Sequence, residues 1–463
     1  MEPRRLFGQR GALLGAALIL VAVASCTASS DEVRPPKDQF FFPTGLALDP
    51  TQATLFVANA NSELRYDSGV ISAVDLAAVD EVADAWSTSK TIPAGCSQDL
   101  MQPETLVCNE ATFIKSAVRI GNFASGISVQ SLGNGRVRLI VPVRGDPSIT
   151  WMDWDGSSLS CEDGAEGFSQ CDDRRRLIVV RGDEDVGIPQ EPFRTYVDSI
   201  NHFAVVTHLS SGTVTLLDSP TDGDPIVADV LGGLFLSNGG LPGGSAIVGR
   251  NPLRDNDNDG MADPLPPQDP GENHDLLYVG SRTEDRVQML TVDRPADGGL
   301  PYLVSSNYFF LDAAGGNNGG SSVTSGMAFT DDGKHLLVVN QRPPTLQIYD
   351  TTMAPDGFPR NDTVSVVDIC REAAGLAVAD VGYGPLAVIP CFRDGTMYIA
   401  DATGRRPTEA LLTVGRGPFD VAISTTRQKA YVTNFLEDSV GVVELAPGTN
   451  QYREVLRIGE TRL

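Results

Sequence analysis

One order of segments recurs along this chain: an alternating apolar run, a turn, a second apolar strand, a polar turn, and a third strand ending in Asp or Glu. The last copy is the clearest. Residues 418–424 (PFDVAIS) lead through a turn at 425–428 into 429–434 (KAYVTN), and 439–445 and 454–459 follow. Earlier copies of the second and third strands are 55–59 with 69–75, 203–207 with 212–218, 276–280 with 286–293, and 335–340 with 345–350. β-branched and aromatic residues fill these runs, and turn residues separate them. No sustained helical periodicity intervenes, so the pattern predicts strand after strand. A unit this small cannot bury its apolar face alone, whereas stacked copies can, so the chain is restricted to a repeat architecture.

Tyr431-Val-Thr-Asn434 matches, letter for letter, the signature of the YVTN family of β-propeller repeats. The chain resembles those proteins and the YncE-like propellers of bacterial envelopes. The resemblance implies an all-β fold of four-stranded blades around a central channel. Seven blades are expected, starting near Pro43, Ala124, Phe193, Gly243, Ser325, Gly375 and Pro418, with six and eight as alternatives. Insertions interrupt the repeat at 77–111, 157–173, 254–274 and 313–322. The family is functionally mixed, so the likeness speaks for the fold and leaves function to the site.

The propeller segment, 42–463, follows a leader. Arg4, Arg5 and Arg10 precede an uncharged, mostly apolar run from Gly11 to Ser25. That run is shorter than the roughly 20 residues a spanning helix needs, and it has the layout of a secretory signal. It ends in Val23-Ala24-Ser25-Cys26, which resembles the lipobox of bacterial lipoproteins. The resemblance implies removal of residues 1–25, a diacylglycerol on the Cys26 sulfur and acylation of the new amino terminus. Residues 26–41 are then a short, polar tether containing Pro35-Pro36. Thr27 stands where many inner-membrane lipoproteins carry Asp, which favours the outer membrane, on its periplasmic or surface face.

The other six cysteines fall into close pairs: Cys96 with Cys108, Cys161 with Cys171, and Cys370 with Cys391. Six cysteines allow 15 connectivities, and local pairing is the expectation because the pairs lie in separate segments. Export to an oxidising compartment lets such bridges persist. The third would join consecutive blades. A net charge of −25 argues against nucleic acid, whose phosphates need a basic partner surface.

Two constellations carry possible chemistry. The segment 254–263 (RDNDNDGMAD) contains D-x-D-x-D-G-x-x-D, which resembles the calcium loops of EF-hands and thrombospondin type 3 repeats. Asp255, Asp257, Asp259, the Met261 carbonyl and Asp263 would be the ligands, with Gly260 allowing the turn. Pro266 stands where an EF-hand has its bidentate Glu, so a structural, weakly held Ca²⁺ is expected. The second constellation follows the second strands: Arg144, His208, Arg282, Arg342 and Arg393 would gather on one face and ring the channel mouth. Such a ring suits a small carboxylate or phosphate, while ion pairing with nearby Asp146, Glu284, Asp285 and Asp394 is the competing and favoured expectation.

Catalytic signals are thin. The histidines (His202, His208, His274, His335) show no metal-ligand spacing, and neither a G-x-S-x-G elbow nor a Walker-type loop occurs. The leading expectation is a non-catalytic, envelope-anchored propeller that acts as a scaffold or binds a protein, a peptidoglycan fragment or a small anion. A propeller enzyme such as a lactonase is the alternative. The calcium loop is directly testable: a cation bound only by the folded state raises stability by about 1.4 kcal/mol at ten times Kd. Calorimetric titration should show calcium uptake by the native protein at millimolar concentration, and none by Asp257→Ala or Asp259→Ala. Absence of uptake by the native protein would reduce the motif to an acidic loop.

Overall fold

The computed structural model describes residues 33–161, 168–180, 183–235, 243–250, 276–311, 323–355, 358–405, 410–445 and 452–459. Seven antiparallel meanders follow one another, and together they make a seven-bladed β-propeller. Their innermost strands are Pro43–Leu48, Ser128–Gly133, Pro192–Asp198, Gly244–Arg250, Thr324–Phe329, Ala377–Asp380 and Pro418–Ser424. Each expected blade start falls within a few residues of one of these. The leader, Cys26 and the calcium loop at 255–263 lie outside the described residues, as does the 313–322 insertion.

The second strands explain why the repeat is so legible. Thr54–Asn59, Phe203–His208, Leu276–Ser281 and Lys429–Asn434 are buried at every position, because blades cover both their faces. A strand covered on both faces reads as a continuous apolar run. The outermost strand of the fifth blade, Asp362–Asp368, has no fully buried residue and reads polar. Aromatic pairs seal some blade-to-blade faces, such as Phe56 on Trp154 at 5.6 Å and Tyr278 on Phe329 at 5.3 Å. Trp151 and Trp154 are both blade packing.

The first insertion holds the main departure from the sequence expectation, a helix over Leu76–Ser89 (α1). Asp75 caps it by accepting from the Ala77 N–H at 2.9 Å. Leu76, Val79, Ala83 and Trp86 form its buried stripe. That 3-4-3 spacing is a helical signal, but it is confined to one short segment inside a chain of strands. α1 leads into a hairpin, Cys96–Gln98 with Leu106–Cys108, and the second hairpin strand pairs in parallel with the outermost strand of the seventh blade, Arg453–Ile458. The seventh sheet therefore has six strands, two of them borrowed from the first blade's insertion.

This clasp closes the ring. One apolar cluster contains Leu55 and Val57 of blade 1, Val79 and Trp86 of α1, Leu106 of the hairpin, and Tyr431 and Leu456 of blade 7. Asp80 of α1 pairs with Arg427 at 2.7 Å and Lys429 at 2.6 Å. Arg457 of the outermost strand holds Glu454 at 2.5 Å and Asp99 of the hairpin loop at 2.9 Å. Asp438 accepts from the Phe42 N–H at 2.7 Å, which docks the incoming chain onto blade 7.

All three local disulfides are present. Cys96–Cys108 staples the clasp hairpin, and Cys161–Cys171 closes the insertion beside blade 2. Cys370, just past the outermost strand of blade 5, bridges to Cys391 at the end of the second strand of blade 6, so this bond joins consecutive blades.

Candidate functional site

Each inner strand enters the channel through the same irregularity. In the first blade Pro43 pairs with Asn59 and Gly45 with Ala58, leaving Thr44 as an extra residue. The register shifts at the equivalent place in blades 3, 4, 5 and 7. Hydroxyls of the bulged residues reach the next blade: Thr44 donates to the Ala124 carbonyl at 2.8 Å, Ser125 to Phe193 at 2.7 Å, and Ser245 to Thr324.

The residue just past the bulge packs against its counterparts in other blades. Around the ring it is Gly45, Gly126, Arg194, Ala246, Gly326, Gly375 and Asp420. Five of these are Gly or Ala because there is little room. A Cβ on Gly45 would lie 2.8 Å from the Gly126 Cα, and one on Gly326 would lie 2.8 Å from the Leu376 Cβ. The two exceptions carry opposite charges and meet: Arg194 Nη1 lies 3.8 Å from Asp420 Oδ1. They sit on blades 3 and 7, on opposite sides of the ring.

Both charged residues are held by their backbones. The Arg194 N–H donates to Thr207 Oγ1 at 3.2 Å, and the Asp420 N–H donates to Thr433 Oγ1 at 2.8 Å. These two threonines occupy one position of the repeat, and the other blades place Ala58, Pro142, Gly280, Val339 and Pro390 there. Thr433 is the threonine of the YVTN signature, so here that residue fixes an axial carboxylate. The Arg194 guanidinium also donates to the carbonyls of Ser125 at 3.4 Å and Ala374 at 3.3 Å. Asp420 Oδ2 accepts from the Leu46 N–H at 3.0 Å. Burial pushes the Asp420 carboxyl up, against the pull of Arg194 and of backbone N–H groups. A cavity of about 130 Å³ opens beside the pair, lined also by Ala246, Ile247, Ser325, Met327 and Leu376.

Of the residues expected at the channel mouth, Arg144, Arg282, Arg342 and Arg393 lie just beyond second strands on the face where inner strands begin. None of them lines the cavity. Arg144 pairs with Glu191 at 3.1 Å and Arg393 with Glu372 at 3.6 Å, while Arg282 and Arg342 are exposed. Three of the four carboxylates expected as partners pair elsewhere: Asp146 with Arg176, Glu284 with Arg286 and Asp394 with Arg371. His208 is fully buried in blade 3, its ring nitrogens meeting the Gln190 carbonyl at 3.1 Å and Thr215 Oγ1 at 2.8 Å. No motif in the sequence marks Arg194 or Asp420. Their signal was the pair of exceptions at one otherwise small position of the aligned inner strands. Among the described residues no group of three or more His, Cys, Asp or Glu side chains is arranged to hold a metal ion.

No protein-family model matches the chain, and no curated protein matches it either. Solved structures do. A provisionally named 6-phosphogluconolactonase of Bacteroides fragilis superposes with a TM-score of 0.54 at 14% identity, covering 75% of this chain and 88% of that one. The hydrazine synthase of Kuenenia stuttgartiensis gives 0.53 at 12% identity, covering 90% and 98%. The Swd1 β-propeller domain of Myceliophteria thermophila gives 0.50 at 12% identity, covering 88% of this chain and 97% of that one. The likeness is one of fold. Differently named proteins share it, so function must come from the site.

His208 generates a pH prediction. Burial lowers its pKa to about 4, so the unfolded chain binds the proton more tightly and stability must fall as pH drops from the ordinary value near 6.5 to about 4. Glu454, pushed up to about 7 by burial, acts with the opposite sign in the same range. The difference between native protein and His208→Gln isolates the histidine. Denaturant unfolding should show the native protein losing roughly 3 kcal/mol relative to the variant over that window. A pH-independent difference would contradict the burial of a neutral imidazole.

Proposed function

We propose that this chain is a non-catalytic binding propeller held at the bacterial envelope by a lipid on Cys26. The observation that carries the binding role is the channel: Arg194 and Asp420, of opposite charge and 3.8 Å apart, line a cavity of about 130 Å³. Such an arrangement suits recognition.

The anchoring role rests on the lipobox and on where the chain joins the fold. The Val33 carbonyl accepts from the Asp67 N–H at 2.9 Å, and Pro35, Phe40 and Phe41 are buried. Only residues 27–32 separate Cys26 from this docked segment, which at full extension places the blade 1 loop within about 25 Å of the lipid. The tether thus works as a short leash. The envelope membrane, with the outer one favoured, is the first partner, and a small polar ligand or a protein is the second. Calcium in the 255–263 loop, if bound, serves structure.

The alternative, a lactonase, draws on the name of one similar fold and on no residue of this channel. The experiment uses the full chain expressed in a bacterial host. The native protein should partition into detergent and carry the mass of an acylated Cys26, and Cys26→Ser should lose both. Equal partitioning and mass for the two proteins would sink the anchoring role. Turnover of gluconolactone or its 6-phosphate that disappears with Arg194→Gln would sink the non-catalytic one.

A further inference from the structure

The cavity beside Arg194 and Asp420 has a shape and a charge pattern that narrow its ligand. Arg194 leans over Gly126 of the preceding blade, where a Cβ would lie 3.6 Å from its Nη1. Open volume is left on the other side, against the inner strands of blades 4, 5 and 6. The pair is solvated, with 15% of the Arg194 side chain and 16% of the Asp420 side chain accessible, so a small molecule can reach it.

Both groups have unspent capacity. A guanidinium has five N–H donors. The contacts of this one, at 3.3, 3.4 and 3.8 Å, are at or beyond the long limit of hydrogen bonding. Asp420 and Arg194 are near neighbours without a close bond between them. A ligand of one sign would bring an uncompensated charge into this narrow channel, which is costly. A ligand carrying both signs leaves every charge paired: its carboxylate on the guanidinium, its ammonium on the aspartate.

We propose that the channel cavity of this propeller binds a small free α-amino acid, with its carboxylate on Arg194 and its ammonium on Asp420. The amino and carboxylate groups of an α-amino acid are separated by two bonds through Cα, which sets their polar atoms about 3 Å apart. That matches the 3.8 Å between the two protein charges, so the four groups form a square of alternating sign. The cavity, lined also by Ala246, Ile247, Met327 and Leu376, has a volume of about 130 Å³, which restricts the ligand's side chain to a short one. The inference rests on the binding role proposed above and gives that role a ligand class.

The test is calorimetric titration of the mature protein with glycine and L-alanine, beside acetate, ethylamine and N-acetylglycine. The amino acids should bind, and each analogue lacking one charge should bind about tenfold more weakly or worse. Ala246→Leu fills the cavity without touching the ion pair, so this variant, checked for folding by circular dichroism, should lose the amino acids. Folded protein that takes up neither amino acid at millimolar concentration overturns the proposal while leaving the anchored scaffold intact. So does acetate binding as well as glycine, or Ala246→Leu binding like the native protein. Lactone turnover, by contrast, overturns the non-catalytic role and is read in a separate assay.

Discussion

A guanidinium from blade 3 meets a carboxylate from blade 7 on the axis of the ring, and the inner surface of the propeller is arranged around that meeting. Seven sheets can approach one axis only if the residues nearest it are small, hence Gly45, Gly126, Ala246, Gly326 and Gly375. Through its side chain Arg194 touches the loops entering blades 2 and 6 as well as Asp420, and Asp420 in turn holds the Leu46 N–H of blade 1. One pair therefore ties five blades at the centre. Its net contribution to stability is small, because desolvating two charges offsets most of their attraction. Its effect is on which arrangement of blades is compatible with paired charges.

The rim solves a different problem. A ring of sheets has a seam where the last blade meets the first. Here the seam is covered by α1 and the clasp hairpin, which extend blade 7 with strands from the first blade's insertion. The parallel pairing at Leu106–Cys108 protects what would otherwise be an exposed sheet edge. Around it sit the ion pairs of Asp80 and the buried cluster of Arg457, Glu454, Glu437 and Asp99. The axis and the seam thus join the same two ends of the chain by unrelated means.

Much of this fold was legible because the second strands are buried on both faces and so repeat as apolar runs, Tyr431-Val-Thr-Asn434 most plainly. Local cysteine spacing likewise gave the right disulfides. α1 escaped because a single buried stripe of Leu76, Val79, Ala83 and Trp86 is short beside the strand signal around it. The candidate site was far less legible. Arginines after second strands share a position in sequence, yet their side chains answer to local acids such as Glu191 and Glu372, and His208 turns inward. Arg194 and Asp420 lie more than 200 positions apart and are related only by the ring, so no local spacing announces them. Their shared support, Thr207 and Thr433, becomes visible only once bulged inner strands are aligned by register.

The axial pair also links the architecture to the binding role proposed here, since the same two opposite charges tie the blades together and line the central cavity. A double-mutant cycle on unfolding free energy tests that pairing most directly. Arg194→Met and Asp420→Leu should each destabilise by about 3–5 kcal/mol, since each strands a partly buried charge, and the double variant should recover most of the loss. Additive losses, or single variants as stable as the native protein, would show that the two charges do not depend on one another and would contradict the account.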